Sequence, residues 1–164
     1  MYLSSFSNSE TKSATHYLSQ IVYQDWSIRL TKKLSEMPID LVCKPHPDFR
    51  YPGTRHPLSL YAKISSAPFE EVIDDADVFI YDCINSTAFW EIVCTNKKVI
   101  CIDVGFASAT DEAKKILNRR CTMLETTNDS SNRLQIDNEE LDEAIFGPFQ
   151  HDGPGEFRDI LIGQ

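Results

Sequence analysis

Short apolar runs of strand type alternate with segments of helical type along most of this chain, and this alternation limits the possible folds more than any single motif. The strand-like runs cover residues 2–6, 39–43, 61–65, 77–82, 97–105 and 121–126. The helical segments cover residues 16–36, 67–76, 85–96, 110–120 and 138–147. Parallel strands need crossover helices, and the chain supplies one between most of its strands. The pattern predicts an α/β fold, a three-layer Rossmann-like domain with a mainly parallel sheet.

Composition narrows the class of protein further. The 164 residues show no internal repeat or linker, so residues 1–164 are predicted to form a single domain. The net charge of −9 argues against a nucleic-acid partner, because phosphate binding by a whole surface needs a basic face. Five cysteines without a CxxC pair indicate buried, reduced thiols in a cytoplasmic protein. No stretch is apolar over the length that spans a bilayer, so we expect membrane contact only peripherally or through a partner.

The first candidate site follows the apolar run "IDLVC", where the chain reads "KPHP". Prolines at 45 and 47 fix the backbone on both sides of His46 and favour extended geometry at Lys44 and His46. Ligands of open parallel sheets bind at the carboxyl ends of the strands, where this turn is expected. A histidine there can donate to a phosphate oxygen or act as a general acid or base. The alternative is that His46 only caps the strand.

The second candidate site is the stretch "DVFIYDCINSTAFWEIV". Asp82 ends an apolar strand, and three cap-forming residues then precede a helix: Asn85, Ser86 and Thr87. Free N–H groups at a helix start attract anions, and a diphosphate would suit them. Glu91 lies four residues beyond Thr87, on the same helix side, where a carboxylate could accept the hydroxyls of a ribose. The alternatives are an ordinary helix cap and an ordinary surface glutamate.

Other signatures of chemistry are weak or missing from the sequence. It contains neither GxGxxG nor GxxxxGK[ST], the glycine-rich fingerprints of dinucleotide and P-loop sites. The pair His151 and Asp152 has no third ligand at coordination spacing, so no metal site is predicted.

Two stretches, "LVCKPHPD" and "PFEEVIDDADVFIYDCINSTAFWEIVCTNKKVICID", resemble the C-terminal, donor-binding half of GT-B-type transferases that build bacterial surface polymers. The CDP-glycerol glycerophosphotransferases and the capsule and surface-polysaccharide transferases are the most similar families. The resemblance covers roughly residues 38–105. It implies a GT-B C-terminal-half fold, and a transferase that uses a nucleotide-activated sugar or CDP-glycerol as donor.

The resemblance also implies roles for individual residues. His46 would meet the phosphate of the donor as the catalytic residue, with Lys44 beside it. Around the diphosphate and the ribose would lie Asp82, Asn85, Ser86, Thr87 and Glu91. No metal would be strictly required. A missing N-terminal domain would bind the acceptor, so the isolated domain is expected to bind donor without turnover, in the cytoplasm or at the inner face of the cell membrane.

Two alternatives remain open at this point. One is the half-domain of a nucleotide-sugar epimerase, which shares the nucleotide cleft and the Ser-led helix with an acid where Glu91 stands. The other is a non-catalytic α/β regulatory domain that uses Asp82 or Asp103 at a strand end as a switch. Against the second, the first strand, "YLSSFSN", lacks the acidic pair that a receiver domain needs.

Overall fold

The computed structural model describes residues 1–4, 20–46, 55–105, 110–149 and 153–162. The strands are β1 Tyr2–Ser4, β2 Val42–Pro45, β3 Lys63–Ile64, β4 Val78–Tyr81, β5 Lys98–Asp103, β6 Thr122–Glu125, β7 Thr127–Asn128 and β8 Leu134–Gln135. The helices are α1 Gln20–Ser35, α2 Phe69–Val72, α3 Thr87–Val93, α4 Asp111–Arg120, α5 Asn138–Phe146 and α6 Gly155–Ile162, with a 3-10 turn at Pro57–Leu60. No helix in these ranges is long and apolar enough to cross a bilayer.

Six strands form one open sheet in the order β3-β2-β1-β4-β5-β6. Every neighbouring pair in it is parallel. The chain first winds outward from β1 through β2 to β3, and then crosses back to β4 and winds outward the other way. This is the order of doubly wound, Rossmann-like sheets, and it places the topological switch point between β1 and β4. The predicted α/β class and parallel sheet are confirmed.

Helices cover both faces of the sheet, because successive strand residues point to opposite sides. In β4, Phe79 and Tyr81 belong to one buried cluster and Ile80 to the other. Helices α1 and α5 pack on the Ile80 side, and α2, α3, α4 and α6 pack on the opposite side. Trp26, which is 1% exposed, lies in α1 at the helical spacing read from the sequence.

At the amino end of the sheet, a buried arginine binds backbone carbonyls of a neighbouring segment. Arg120, which is 1% exposed, donates to the carbonyls of Val93 (2.8 Å), Thr95 (2.6 Å) and Lys97 (2.9 Å). These carbonyls lie at and just beyond the end of α3. The Phe149 ring stands 5.5 Å from the guanidinium carbon. The last turn of α4 is thereby tied to the end of α3.

Several element boundaries differ from the sequence prediction. The strand expected at 39–43 is shifted to Val42–Pro45, because Ile39 N–H closes a turn onto the Met37 carbonyl at 2.8 Å. Helices α2 and α3 are shorter than the segments 67–76 and 85–96. The tail, where no helical segment was predicted, contains α6, and the buried Phe157 anchors it. Residues 5–6, 16–19 and 47, which the predictions included, lie outside the described residues.

Gly147 ends α5 as predicted, but for another reason. Its φ is −68°, so it is not the left-handed cap that usually selects glycine. A Cβ at Gly147 would stand 2.5 Å from the Glu143 carbonyl oxygen, which no other residue could tolerate without a shift. Close approach, and not backbone conformation, therefore requires the glycine.

Candidate functional site

The two predicted polar segments lie on the same rim of the sheet. Strands β2 and β4 both flank β1, and all three run in parallel. Leu3 pairs with Lys44 on one side and with Tyr81 on the other, so β2 and β4 end at nearly the same level. Since neighbouring strands lie about 4.8 Å apart, the two strand ends are separated by about 10 Å. A diphosphate with its nucleoside could span that distance.

Lys44 and His46 stand at the end of β2. Lys44 is half-buried, and its Nζ donates to the Ala67 carbonyl just before α2. This bond fixes the direction of the side chain, and an ammonium keeps further N–H donors beyond one such bond. His46 follows Pro45 directly and is half-buried at the rim. Pro47, the second half of the predicted clamp, lies outside the described residues.

Asp82 lies beneath the rim, on the side of the sheet that faces α1. It is 1% exposed, and its carboxylate accepts the hydroxyls of Tyr2 (2.5 Å) and Tyr23 (2.7 Å). The Trp26 indole also faces the carboxylate, although its N–H completes no hydrogen bond with the described residues. Burial raises the pKa of Asp82 to about 6, against the opposing effect of these donors. The Asp82 carboxylate thus links β1 and α1 to the end of β4. Because it is buried in this conformation, it is not accessible to a ligand.

The start of α3 places three polar residues at the rim after β4. Asn85 and Thr87 are exposed, and Ser86 is half-buried at the cap position. The Ser86 side chain makes no capping hydrogen bond with the described backbone, unlike the ordinary cap considered above. Helix α3 has only 7 residues, so its dipole is weak and the hydroxyl and amide side chains are its main means of contacting a ligand.

Glu91 is exposed and lies one turn into α3. The Tyr81 hydroxyl, at the end of β4, donates to the Ala88 carbonyl at 2.9 Å. Burial, and then the charge of Glu91, raise the pKa of Tyr81. Glu91 is therefore close enough to the Tyr81 hydroxyl to act on it electrostatically.

A second polar group occurs where β5 ends. Asp103 accepts the Gly105 N–H at 2.8 Å, and Gly105 has a φ of +76°, a conformation that favours glycine. Beside this turn, between the ends of β4 and β5 and α4, is a cavity whose lining includes Cys83 and Lys114. Its volume is only about 20 Å³, which is room for about one water molecule. The cavity is too small for a nucleotide.

Sequence reasoning missed the aromatic partners of Asp82. Tyr2 and Tyr23 are separated from it by 80 and 59 positions, and no local pattern joins them. The only available signal was that both occur in elements predicted to be buried. It also missed His56, whose Nδ1 accepts the Leu58 N–H at 3.2 Å and so caps the 3-10 turn, while burial lowers the pKa of its ring.

Neither the metal-binding potential of the described residues nor a comparison with known proteins identifies the function. Within the described ranges, no group of three or more His, Cys, Asp or Glu side chains is placed to hold a metal ion. No family model, curated protein or solved structure matches this chain. The resemblance to GT-B-type transferases therefore stays a prediction. The structural features that bear on function are those of the rim formed by the ends of β2, β1 and β4.

Proposed function

We propose that this domain binds a nucleotide-activated donor at the rim formed by the ends of β2, β1 and β4. The observation that carries the proposal is the position of the switch point between β1 and β4, since doubly wound sheets bind their ligands in the crevice at that point. The polar residues selected from the sequence follow the two strands that flank β1: Lys44 and His46 stand at the end of β2, and Asn85, Ser86, Thr87 and Glu91 come after β4.

Each of these residues has a part in the proposed complex. Lys44 and His46 bind the diphosphate from the β2 side, and Ser86 and Thr87 bind it from the α3 side. Glu91 accepts hydrogen bonds from the ribose hydroxyls. Asp82 acts from beneath, because its bonds to Tyr2 and Tyr23 keep the strand ends aligned.

The proposed reaction is transfer of a glycosyl or glycerophosphoryl group to a bacterial surface polymer. In the transition state, negative charge develops on the leaving diphosphate, and fixed donors aimed at it lower the barrier. His46 is the catalytic residue in this scheme, and no metal is strictly required. The domain corresponds to the C-terminal half of a GT-B-type enzyme, whose acceptor domain works with it in the cytoplasm at the inner face of the membrane. Alone, it binds donor without turning it over.

Ligand-induced stabilisation tests the proposal. We expect UDP, CDP, GDP or CDP-glycerol at millimolar concentration to raise the melting temperature, since a ligand at about 100 times its Kd adds about 2.7 kcal/mol of stability. The variants H46A and T87A should each abolish most of the shift, which is measured relative to the unliganded melting temperature of the same variant. T127A, an exposed threonine of β7, is the matched control and should keep the full shift.

Two results would overturn the proposal. One is the absence of a shift with every nucleotide. The other is a shift that survives in both H46A and T87A, which would place the nucleotide somewhere else on the molecule.

A further inference from the structure

The two outer strands of the six-stranded sheet differ in how they are protected. At one side, β3 has only 2 residues, one of which is the exposed Lys63. Short length and lysine are both devices that prevent pairing at a sheet edge. At the other side, β6 has 4 residues, Thr122–Glu125, with neither proline nor lysine among them. Strand β6 is longer than β3 and has no lysine, so its edge is less protected against pairing with another strand.

The outward-facing backbone groups of β6 can be identified from its pairing with β5. Asp103 pairs with Glu125, and the Thr126 N–H donates to the Asp103 carbonyl at 3.3 Å. Backbone groups of Leu124 and Thr126 therefore point toward β5. Because this direction alternates along a strand, Met123 and Glu125 present their N–H and C=O groups to the open side. No described strand pairs with β6 on that side.

An open groove runs beside this edge, between β6 and α5. Its volume is about 450 Å³. Thr122, Leu124, Ala144 and Pro148 line its less polar part, and Glu139, Glu140 and Glu143 form its acidic part. All three glutamates are exposed. A strand added to β6 would therefore direct every second side chain toward these carboxylates.

We propose that the β6 edge is a docking site for an extended segment of a partner protein, which pairs with Met123 and Glu125 and carries lysine or arginine at alternate positions. The main-chain bonds supply affinity, and the acidic groove selects the side chains on one face. The charge also decides against a second copy of this chain as occupant. Pairing β6 with β6 would place the same three glutamates of both copies side by side, and like charges at that range repel.

A model peptide tests this inference independently of nucleotide binding. The probe is a peptide of about nine residues that alternates lysine and valine. We expect saturable binding and slower hydrogen exchange at the amides of Met123 and Glu125, read by NMR. A peptide of the same sequence, N-methylated at alternate residues on its pairing side, should bind about tenfold more weakly, since it cannot complete the ladder. A peptide that alternates glutamate and valine should not bind measurably.

A protein variant gives the reciprocal test. E125P removes one outward-facing N–H and should weaken the lysine–valine peptide by about tenfold, whereas E125A should retain binding. If the N-methylated peptide binds as tightly as the parent, or if exchange at Met123 and Glu125 is unchanged, the attraction is only one of charge and the inference fails. The peptide controls leave the protein unaltered, so the inference can fail or stand whether or not E125P folds.

Discussion

The two ends of the parallel sheet each bury a charged side chain, and the groups that surround it differ. At the carboxyl end, Asp82 is enclosed by the hydroxyls of Tyr2 and Tyr23. At the amino end, Arg120 is enclosed by backbone carbonyls at and beyond the end of α3. Neither of them forms a salt bridge with a described residue. The carboxylate can become neutral by taking up a proton, but an arginine stays charged at any ordinary pH.

Other cations at the amino end also donate to backbone carbonyls, as Arg120 does. Lys98 Nζ donates to the carbonyls of Ile145 and Gly147 at 3.0 and 2.8 Å. Lys97 Nζ reaches the Ala76 carbonyl at 3.0 Å, and Arg158 Nε reaches that of Cys94 at 2.9 Å. Cations there fasten helix ends and loops to one another. The carboxyl end has a bond of this kind from Lys44 to the Ala67 carbonyl, beside the buried Asp82 and exposed polar residues. Arg120 therefore attaches the amino end at any ordinary pH, whereas the carboxyl end, where we place the ligand, contains a buried carboxyl group whose pKa lies near 6.

The largest expected effect tests the amino end. R120M should lower the free energy of unfolding by about 3–5 kcal/mol, because one buried carbonyl (Val93) and two partly buried ones (Thr95 and Lys97) lose their donor, and each unsatisfied group costs about 1–3 kcal/mol. Urea unfolding of the variant measures this. R120K keeps the charge, but all its N–H donors are on a single nitrogen. Its free energy of unfolding should therefore fall, but by less than that of R120M.

K115A supplies the control for that series. Lys115 is exposed on the same helix, and its replacement should change stability by no more than about 0.5 kcal/mol. If R120M also falls within that range, the carbonyls find other donors and the proposed attachment at the amino end does not exist.

The next effect concerns the carboxyl end and depends on pH. The folded-state pKa of Asp82, about 6, lies above the ordinary value of 3.8, so the folded protein holds this proton more tightly than the unfolded chain does. The resulting stabilisation is complete below pH 3.8 and is lost as the pH rises through 6. One pKa unit corresponds to 1.36 kcal/mol, so the loss is about 3 kcal/mol. We expect the stability of the wild type, measured relative to D82N, to fall by that amount between about pH 4 and pH 7.

Urea unfolding at a series of pH values checks this expectation, and D82N removes the contribution of all other titrating groups from the comparison. A flat difference would mean that burial and the tyrosine hydroxyls balance at Asp82. A difference that grows with pH would mean that the hydroxyls stabilise the carboxylate more than burial destabilises it. In either case the carboxyl end would resemble the amino end.

The smallest effect asks how tightly the amino end is packed. G147A should lower the free energy of unfolding by about 2 kcal/mol, because the new Cβ would overlap the Glu143 carbonyl and side chain. G153A is the matched control, since a Cβ there meets nothing within 4 Å, and it should change stability by less than about 0.5 kcal/mol. Equal results for the two variants would show that the end of α5 shifts freely, contrary to the close approach at Gly147.

Local signals in the sequence were sufficient for most of the fold. The predicted helical segment 16–36 contains α1, whose Trp26 and Leu30 are buried against the sheet. The predicted helical segment 110–120 begins at Thr110, and the Thr110 hydroxyl caps α4 by accepting the Ala113 N–H at 3.2 Å. These features depend on residues a few positions apart. The hairpin of β7 and β8 was missed, because its strands have 2 residues each and are too short to show a period.

The candidate site was predictable only in outline. The positions of Lys44, His46 and Thr87 at strand and helix ends followed from the alternation of elements. The burial of Asp82 did not, because it depends on hydroxyls brought together by β1 and α1 from distant parts of the chain. The tie between Lys44 and Ala67 is similar, since the two are 23 positions apart. Strand order decides such contacts, and a single sequence contains no direct signal for strand order.

The central place of β1 has a consequence for how the chain assembles. It precedes β2 and β3 in sequence, yet its partner on one side is β4, whose last residue is Tyr81. During synthesis, β1 therefore lacks its strand partner on one side until the chain has grown past Tyr81. Closing so long a loop is slow compared with forming the local units that follow. Strand β1 is thus made before β2 but gains partners on both of its sides only after β2 does.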